Sequence, residues 1–442
     1  MSSTDQSFSL AIIGSGIGGL ALAIGLLKQN VRCTVYEAAP VFDAVGAGIG
    51  LGPNSLKAMA LMDEEFAKMY DDIKVGNTAP ERYNEQIEIL GAEEGFRHGG
   101  SVRHPDFTRS SAHRRALLEV MKSLIPEGTV KFNKRVVSLV QKDSKVSIEF
   151  TDGEKVIFDA VIGCDGIKGM TRREVLESRY PEEVPAKYCN EYVYRGITTM
   201  ENAKAIIGTY AEDARWFMMP NKGWAMYPIS GGKEVNIVVF VNDDKPWVGE
   251  QAARPVEKEE MLRELEGFDK RLIGLLEYVK PMRWPLFHHP DTPTYVKERI
   301  CLLGDVAHAS SPNQAAGAGQ GLEDALVLSR VLGLVKNASE LDAAFEVYDL
   351  IRRPRAQKVV QESKDVGDIY FLTHPDFGTD LEKITEDANR RLPLIWWYDL
   401  EADVKIAEEE FRKKVARLPT VGKGSAEKTS KKKTSIFQCV VS

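Results

Sequence analysis

Glycines and acids are the residues best placed to do chemistry. Gly14, Gly16 and Gly19 fall in the run Gly-Ser-Gly-Ile-Gly-Gly, and Glu37 closes the next apolar segment. At this spacing Gly14 permits a tight turn, Gly16 lets a pyrophosphate approach the backbone, and Gly19 allows a helix to pack closely on a strand. Glu37 stands where an acid accepts hydrogen bonds from ribose hydroxyls. Two further acids end apolar runs, Asp165 in DAVIGCDG and Asp305 in RICLLGDVAH. Asp305 at a strand tip can accept from ligand hydroxyls. The amides of Gly317, Ala318 and the residues up to Gly321 open a helix, where they can stabilise developing negative charge. Arg195, in VYRGITT, shares a strand face with Val193 and Ile197. Its guanidinium is partly enclosed and needs an anion, either an internal Asp or Glu or a carboxylate or phenolate ligand. Tyr227, in WAMYPIS, reads equally as a core residue.

These residues need a frame. FSLAIIG has the apolar composition of a strand buried on both faces, LALAIGLLKQN the period of a helix, and VRCTVYE that of a second strand. The positive end of the helix dipole then points at the phosphates. The order strand, glycine turn, helix, strand, acid specifies a dinucleotide site, with NAD and FAD both open. Gly46, Gly48, Gly50 and Gly52 suit either close backbone approach to a ligand or a flexible loop. Ala79 to Gly100 reads as one hairpin, and SSAHRRALLEVMKSLIPEG as a helix capped by Ser110 or Ser111. A run of strands leads to Asp165. From about Tyr180 the segments alternate and become aromatic, which predicts a largely antiparallel sheet. A polar helix near Lys258–Glu277 follows. After Asp305 come the helix LEDALVLSRVLGLV and two more helical stretches to about Leu418.

A chain of 442 residues with 43% hydrophobic and 28% charged content suits two or three globular domains. Its net charge of -7 supplies no basic-patch argument for nucleic acid. Five scattered cysteines without Cys-x-x-Cys spacing, and histidines without a ligand cluster, argue against disulfides and a metal site. No apolar run reaches transmembrane length and no cationic leader precedes the first apolar segment, so a cytoplasmic protein is expected.

The three motifs in this order resemble the FAD-dependent aromatic hydroxylases, single-component flavoprotein monooxygenases, and within them the salicylate-hydroxylase-like members. The likeness runs from about Ser9 to Glu410 and includes AHRRALLEVM, YRG at Tyr194–Gly196, YDLIRRPRAQ and LIWWYDLEADV. It implies an α/β fold: a Rossmann-like FAD-binding domain (1–78, 101–179 and 286–375), an inserted β-sheet substrate-binding domain (79–100 and 180–285), and a C-terminal helical region (376–420) before a basic tail (421–442). It implies non-covalent FAD held by Gly14, Gly16, Gly19, Glu37, Arg114, Asp165 and Asp305, and NAD(P)H as co-substrate. The implied reaction is hydroxylation of a phenolic or hydroxybenzoate-type ring by O2 through a flavin hydroperoxide, with Arg195 over the substrate and Tyr227 as its partner. An FAD oxidase or dehydrogenase without oxygen insertion, and a non-catalytic protein of the same fold, are the alternatives.

Two features depart from that pattern. Related members commonly carry Pro-His-Gln-Gly where this chain reads Pro312-Asn313-Gln314-Ala315, and asparagine hydrogen-bonds without titrating near neutrality. The chain also ends Cys439-Val440-Val441-Ser442 behind Lys428, Lys431, Lys432 and Lys433. That is a farnesyl-type signal with a basic second signal, which predicts membrane association if Cys439 is lipidated.

Overall fold

Four adjacent parallel strands explain how motifs so distant in the chain come together. In the computed structural model, which describes residues 6–42, 48–248 and 253–418, the strands Ile300–Leu302, Ala160–Gly163, Leu10–Ile13 and Thr34–Tyr36 lie side by side in that order. The first three of these are entirely buried, as continuous apolar runs in a parallel sheet should be. Because the strands are parallel, their carboxyl ends share one edge. Asp305, Asp165, the Gly14 turn and Glu37 therefore all emerge along it, the edge where open α/β sheets bind ligands.

The glycine turn runs into the helix Ile17–Lys28, whose residues Gly19 to Leu26 are buried. This helix packs on the long helix Gly317–Leu332, and a Cβ at Gly25 would lie 2.5 Å from Ser329 Oγ. The antiparallel strands Val136–Lys142, Lys145–Phe150 and Lys155–Phe158 form a separate three-stranded sheet. Phe150 places its ring 4.7 Å from that of Tyr36.

The aromatic half of the chain forms an eight-stranded sheet that also takes in the hairpin Glu85–Gly91 and His98–Arg103. Its neighbours are antiparallel except Arg215–Met219, which runs parallel to Glu85–Gly91. Strand alternation gives this sheet two faces. Tyr194, Phe217, Trp224, Ile237 and Val239 bury one face among residues of the helices Met200–Ile207, Lys258–Glu264 and Lys270–Leu275. Val193, Arg195, Trp216, Met218, Ala225, Tyr227, Val238 and Phe240 line a cavity on the other. Helices Leu341–Tyr370, Leu381–Trp396 and Leu400–Val415 complete the described chain. Among the described residues no helix is long and apolar enough to cross a membrane.

Three local expectations change. Ser111–His113 is a strand, and the helix Arg114–Ser123 is capped by His113, whose side chain accepts from Arg115 N. The polar segment expected near Lys258–Glu277 is two helices broken around Gly267, where φ is +98°. The glycine stretch is a strand, Gly48–Gly50, paired antiparallel with Ser111–His113. Its Gly48 is needed for packing, since a Cβ there would lie 2.7 Å from Tyr227 Cε2 and 2.8 Å from Ile229 Cγ2. Gly46 and the tail with Cys439 lie outside the described residues.

Candidate active site

The glycine turn is built as its spacing requires. Gly14 has φ +104°, and a Cβ there would sit 2.3 Å from Cys164 O; one on Gly19 would sit 2.1 Å from Gly14 O. A Cβ on Gly16 would meet nothing within 4 Å, so the backbone is open to a ligand at this point. Helix Ile17–Lys28 has no side-chain cap, which leaves its first amides to an anion. Glu37 accepts from Ser15 N at 2.9 Å, Ser15 Oγ at 2.7 Å and Ala39 N at 2.8 Å. Burial opposes its charge, but these hydrogen bonds outweigh it and hold the carboxyl below its usual range. The acid thus fixes the turn.

Between this edge and the eight-stranded sheet lies a cavity of about 590 Å³. Arg114, Asp305, Gly317 and Ala318 line it together with Arg195 and Tyr227, so six of the residues singled out from sequence meet in one space. Helix Gly317–Leu332 points its uncapped N-terminus there, after Ala315 turns the chain at φ +51°. An extended dinucleotide fits this run, from the open backbone at Gly16 to Asp305 and the Gly317 amides. Asp165 is placed differently. Its oxygens accept from Thr171 N and Thr171 Oγ1 at the start of helix Met170–Leu176, outside the cavity lining. Burial raises its pKa despite those bonds.

Arg195 is open to the cavity yet deep enough for burial to lower its pKa, with Tyr227 opposing the shift and Arg114 adding to it. Among the described residues its charged neighbours therefore include no carboxylate. Trp284 packs beneath the guanidinium, 5.6 Å from ring centre to Cζ. Burial raises Tyr227, while Arg109 and Arg195 pull it back.

Sequence reasoning missed Arg109, Tyr370 and Leu392, all of which line the cavity. Arg109 sits among polar residues in TRSS with no periodic signal. Tyr370 ends a helix whose contact with Trp216, 5.3 Å between rings, depends on tertiary packing.

Behind the lining lies Glu191, 6% exposed, with Oε2 unpartnered and Oε1 3.5 Å from Asn313 Nδ2. Burial pushes its carboxyl up to about 7, with Asp368 adding to the shift and Asn313 opposing it. Between about pH 4.5 and 7 the folded chain holds a proton that the unfolded chain has released, so stability falls as pH rises through that window. Glu191→Gln is expected to stabilise the protein by about 2–3 kcal/mol at pH 8 and by almost nothing near pH 4. Unfolding midpoints at both pH values check this, and a gain independent of pH would mean that Glu191 does not titrate there.

Residues 7–363 match the family described as FAD binding domain. An FAD-dependent monooxygenase of Gibberella moniliformis is 38% identical over 439 residues, which cover 94% of this chain and 100% of the relative. A salicylate hydroxylase of Pseudomonas putida is 32% identical over 431 residues, 91% of this chain and 95% of the relative. Among solved structures, a salicylate hydroxylase substrate complex is 30% identical, has a TM-score of 0.82, and covers 91% of this chain and 98% of its own.

Proposed function

Because the chain belongs to the family of FAD-dependent monooxygenases that share this FAD-binding domain, we propose that it uses NAD(P)H and O2 to hydroxylate a phenolic or hydroxybenzoate-type ring. The observation that carries this reading is Arg195, a cavity-facing guanidinium whose charged neighbours among the described residues, Tyr227 and Arg114, include no carboxylate. A phenolate or carboxylate on the ligand supplies the missing anion. The salicylate hydroxylases among the relatives support the same substrate class.

FAD, when bound, would relay the two electrons of NAD(P)H and supply the reactivity toward O2. The chain supplies the rest. The glycine turn and the free amides of helix Ile17–Lys28 hold the pyrophosphate, Glu37 the ribose, and Arg114 and Asp305 the groups farther along. Val193, Trp216, Val238 and Phe240 clamp a planar ring and exclude water. Arg195 favours the phenolate over the phenol, which enriches the ring in electrons at the moment of attack. The amides of Gly317 and Ala318 stabilise negative charge that develops at the opposite wall.

The test is a screen of hydroxybenzoates and alkylated phenols for stimulation of NADH or NADPH oxidation by the yellow protein, under labelled O2. One labelled oxygen atom is expected in the ring product. Stimulated oxidation that yields only hydrogen peroxide and unchanged ring would assign the chain an oxidase-like reaction instead.

A further inference from the structure

Among the described residues six arginines are buried, and five of them are neutralised or densely solvated by the protein. Arg352 and Arg355 face Glu323, Arg215 faces Glu88 and Asp213, and Arg299 faces Asp342. Arg172 donates to Thr292 Oγ1 and to the carbonyls of Glu183, Asp291, Val306 and Ala307. Arg109 is the sixth. Only 4% of it is exposed, yet its one hydrogen bond among the described residues runs from Nη1 to the carbonyl of Gln86. Its Nε has no partner. Burial lowers its pKa to about 10, and among the described residues the groups that oppose the shift are the tyrosines Tyr227 and Tyr70.

Arg109 also lines the cavity. Its Cζ stands 5.0 Å from the Tyr227 ring centre, so Tyr227 lies under the influence of two guanidiniums, Arg109 and Arg195. On the side of Nη2 the chain carries Gly50, where even a Cβ would be 3.9 Å away. Nη2 thus carries no hydrogen bond among the described residues, while Nε is itself closed off from solvent. A buried guanidinium without a counter-ion is costly, and a carboxylate in the cavity that accepts a charge-assisted hydrogen bond from Nη2 offsets that cost.

We propose that Arg109 is the carboxylate receptor of this cavity, so the ring substrate is an aromatic acid anchored at Arg109 with its hydroxyl directed to Arg195. The assignment rests on the hydroxylase reading for the identity of the ring and adds to it the requirement for an acid. Neutral phenols of the same shape then leave Arg109 uncompensated and bind poorly.

The experiment titrates the FAD-loaded full-length protein with benzoate and with benzamide, its uncharged counterpart of nearly the same shape, and follows the flavin absorbance and the binding heat. Benzoate is expected to bind at least about tenfold more tightly. Arg109→Met is expected to bring the two ligands within about twofold, whereas Arg195→Met keeps the preference. Should Arg109→Met lose FAD, Arg109→Gln retains a donor for Gln86 and carries the same comparison. Equal binding of the two ligands by the parent protein, or failure of both to bind, overturns the proposal whatever the variants do. A preference that survives in Arg109→Met but vanishes in Arg195→Met places the carboxylate at Arg195, and the hydroxylase reading stands without this anchor. Benzoate preference lost in Arg109→Met, with no aromatic compound hydroxylated, supports the receptor and removes the hydroxylase reading.

Discussion

Replacing Arg195 with alanine is expected to lower aromatic-stimulated NAD(P)H oxidation about 100- to 1000-fold while the protein retains its full complement of FAD. The two halves of this expectation have separate physical grounds. Arg195 belongs to the eight-stranded sheet, paired across to Val238, and its charged neighbours are Tyr227 and Arg114. Removing it therefore breaks no ion pair among the described residues and leaves the glycine turn untouched. What disappears is the charge that stabilises an anionic ring in water-poor surroundings. Lysine should recover little, because a compact ammonium does not reproduce the planar fork or its packing on Trp284. Initial rates, flavin absorbance per chain and thermal melts, taken together, check the prediction. A variant that unfolds would instead show that Arg195 holds the sheet together.

Arg352→Met should act on stability, and more strongly than any other single change considered for this chain. Arg352 is wholly buried, with Nη1 2.8 Å from Glu323 Oε2, Nε 2.9 Å from Asp324 Oδ1 and Nη2 2.9 Å from Gln320 Oε1. Asp324 in turn accepts from Gly304 N at 3.1 Å and contacts His308 Nε2. Burial would raise the Asp324 carboxyl, but His308 and Arg352 together hold it down at about 2. Methionine leaves two carboxylates in the interior short of their counter-ion, a loss of about 3–5 kcal/mol. The damage reaches the cofactor edge, since Asp324 fixes the backbone at Gly304, immediately before Asp305. Chemical unfolding and FAD release should move together in this variant. An unchanged melt would show that the cluster relaxes or takes up protons without cost.

Local order along the chain was sufficient for the first motif. Strand, glycine turn, helix, strand and acid follow one another within a few turns of backbone, and each step depends on neighbours close in sequence. The same holds for the alternation that places Val193 and Arg195 on one face of their strand. It also holds for the apolar runs that end at Asp165 and Asp305. Once the strands are parallel, those ends must share an edge, which is why three motifs separated by more than a hundred residues were legible as one site.

Tertiary structure decided what each side chain meets. Asp165 and Asp305 look alike in sequence, yet Asp165 turns to Thr171 while Asp305 reaches the cavity. Gly48 reads as loop freedom or ligand approach, and its actual constraint is Tyr227, far along the chain and across the sheet interface. The C-terminal helices carry no chemical signature, but Tyr370 and Leu392 close the cavity wall. Arg109 is the sharpest case. Whether a buried arginine is paired or waiting for a ligand depends on which carboxylates long-range packing brings within 4 Å, and no period or spacing in the chain encodes that. The sequence alone determined the cofactor edge, because that depends on contiguous backbone geometry, and it carried the class of reaction only through the resemblance of its motifs to the aromatic hydroxylases. The shape and charge of the substrate cavity depend on the register between two sheets, so only the folded chain could set them.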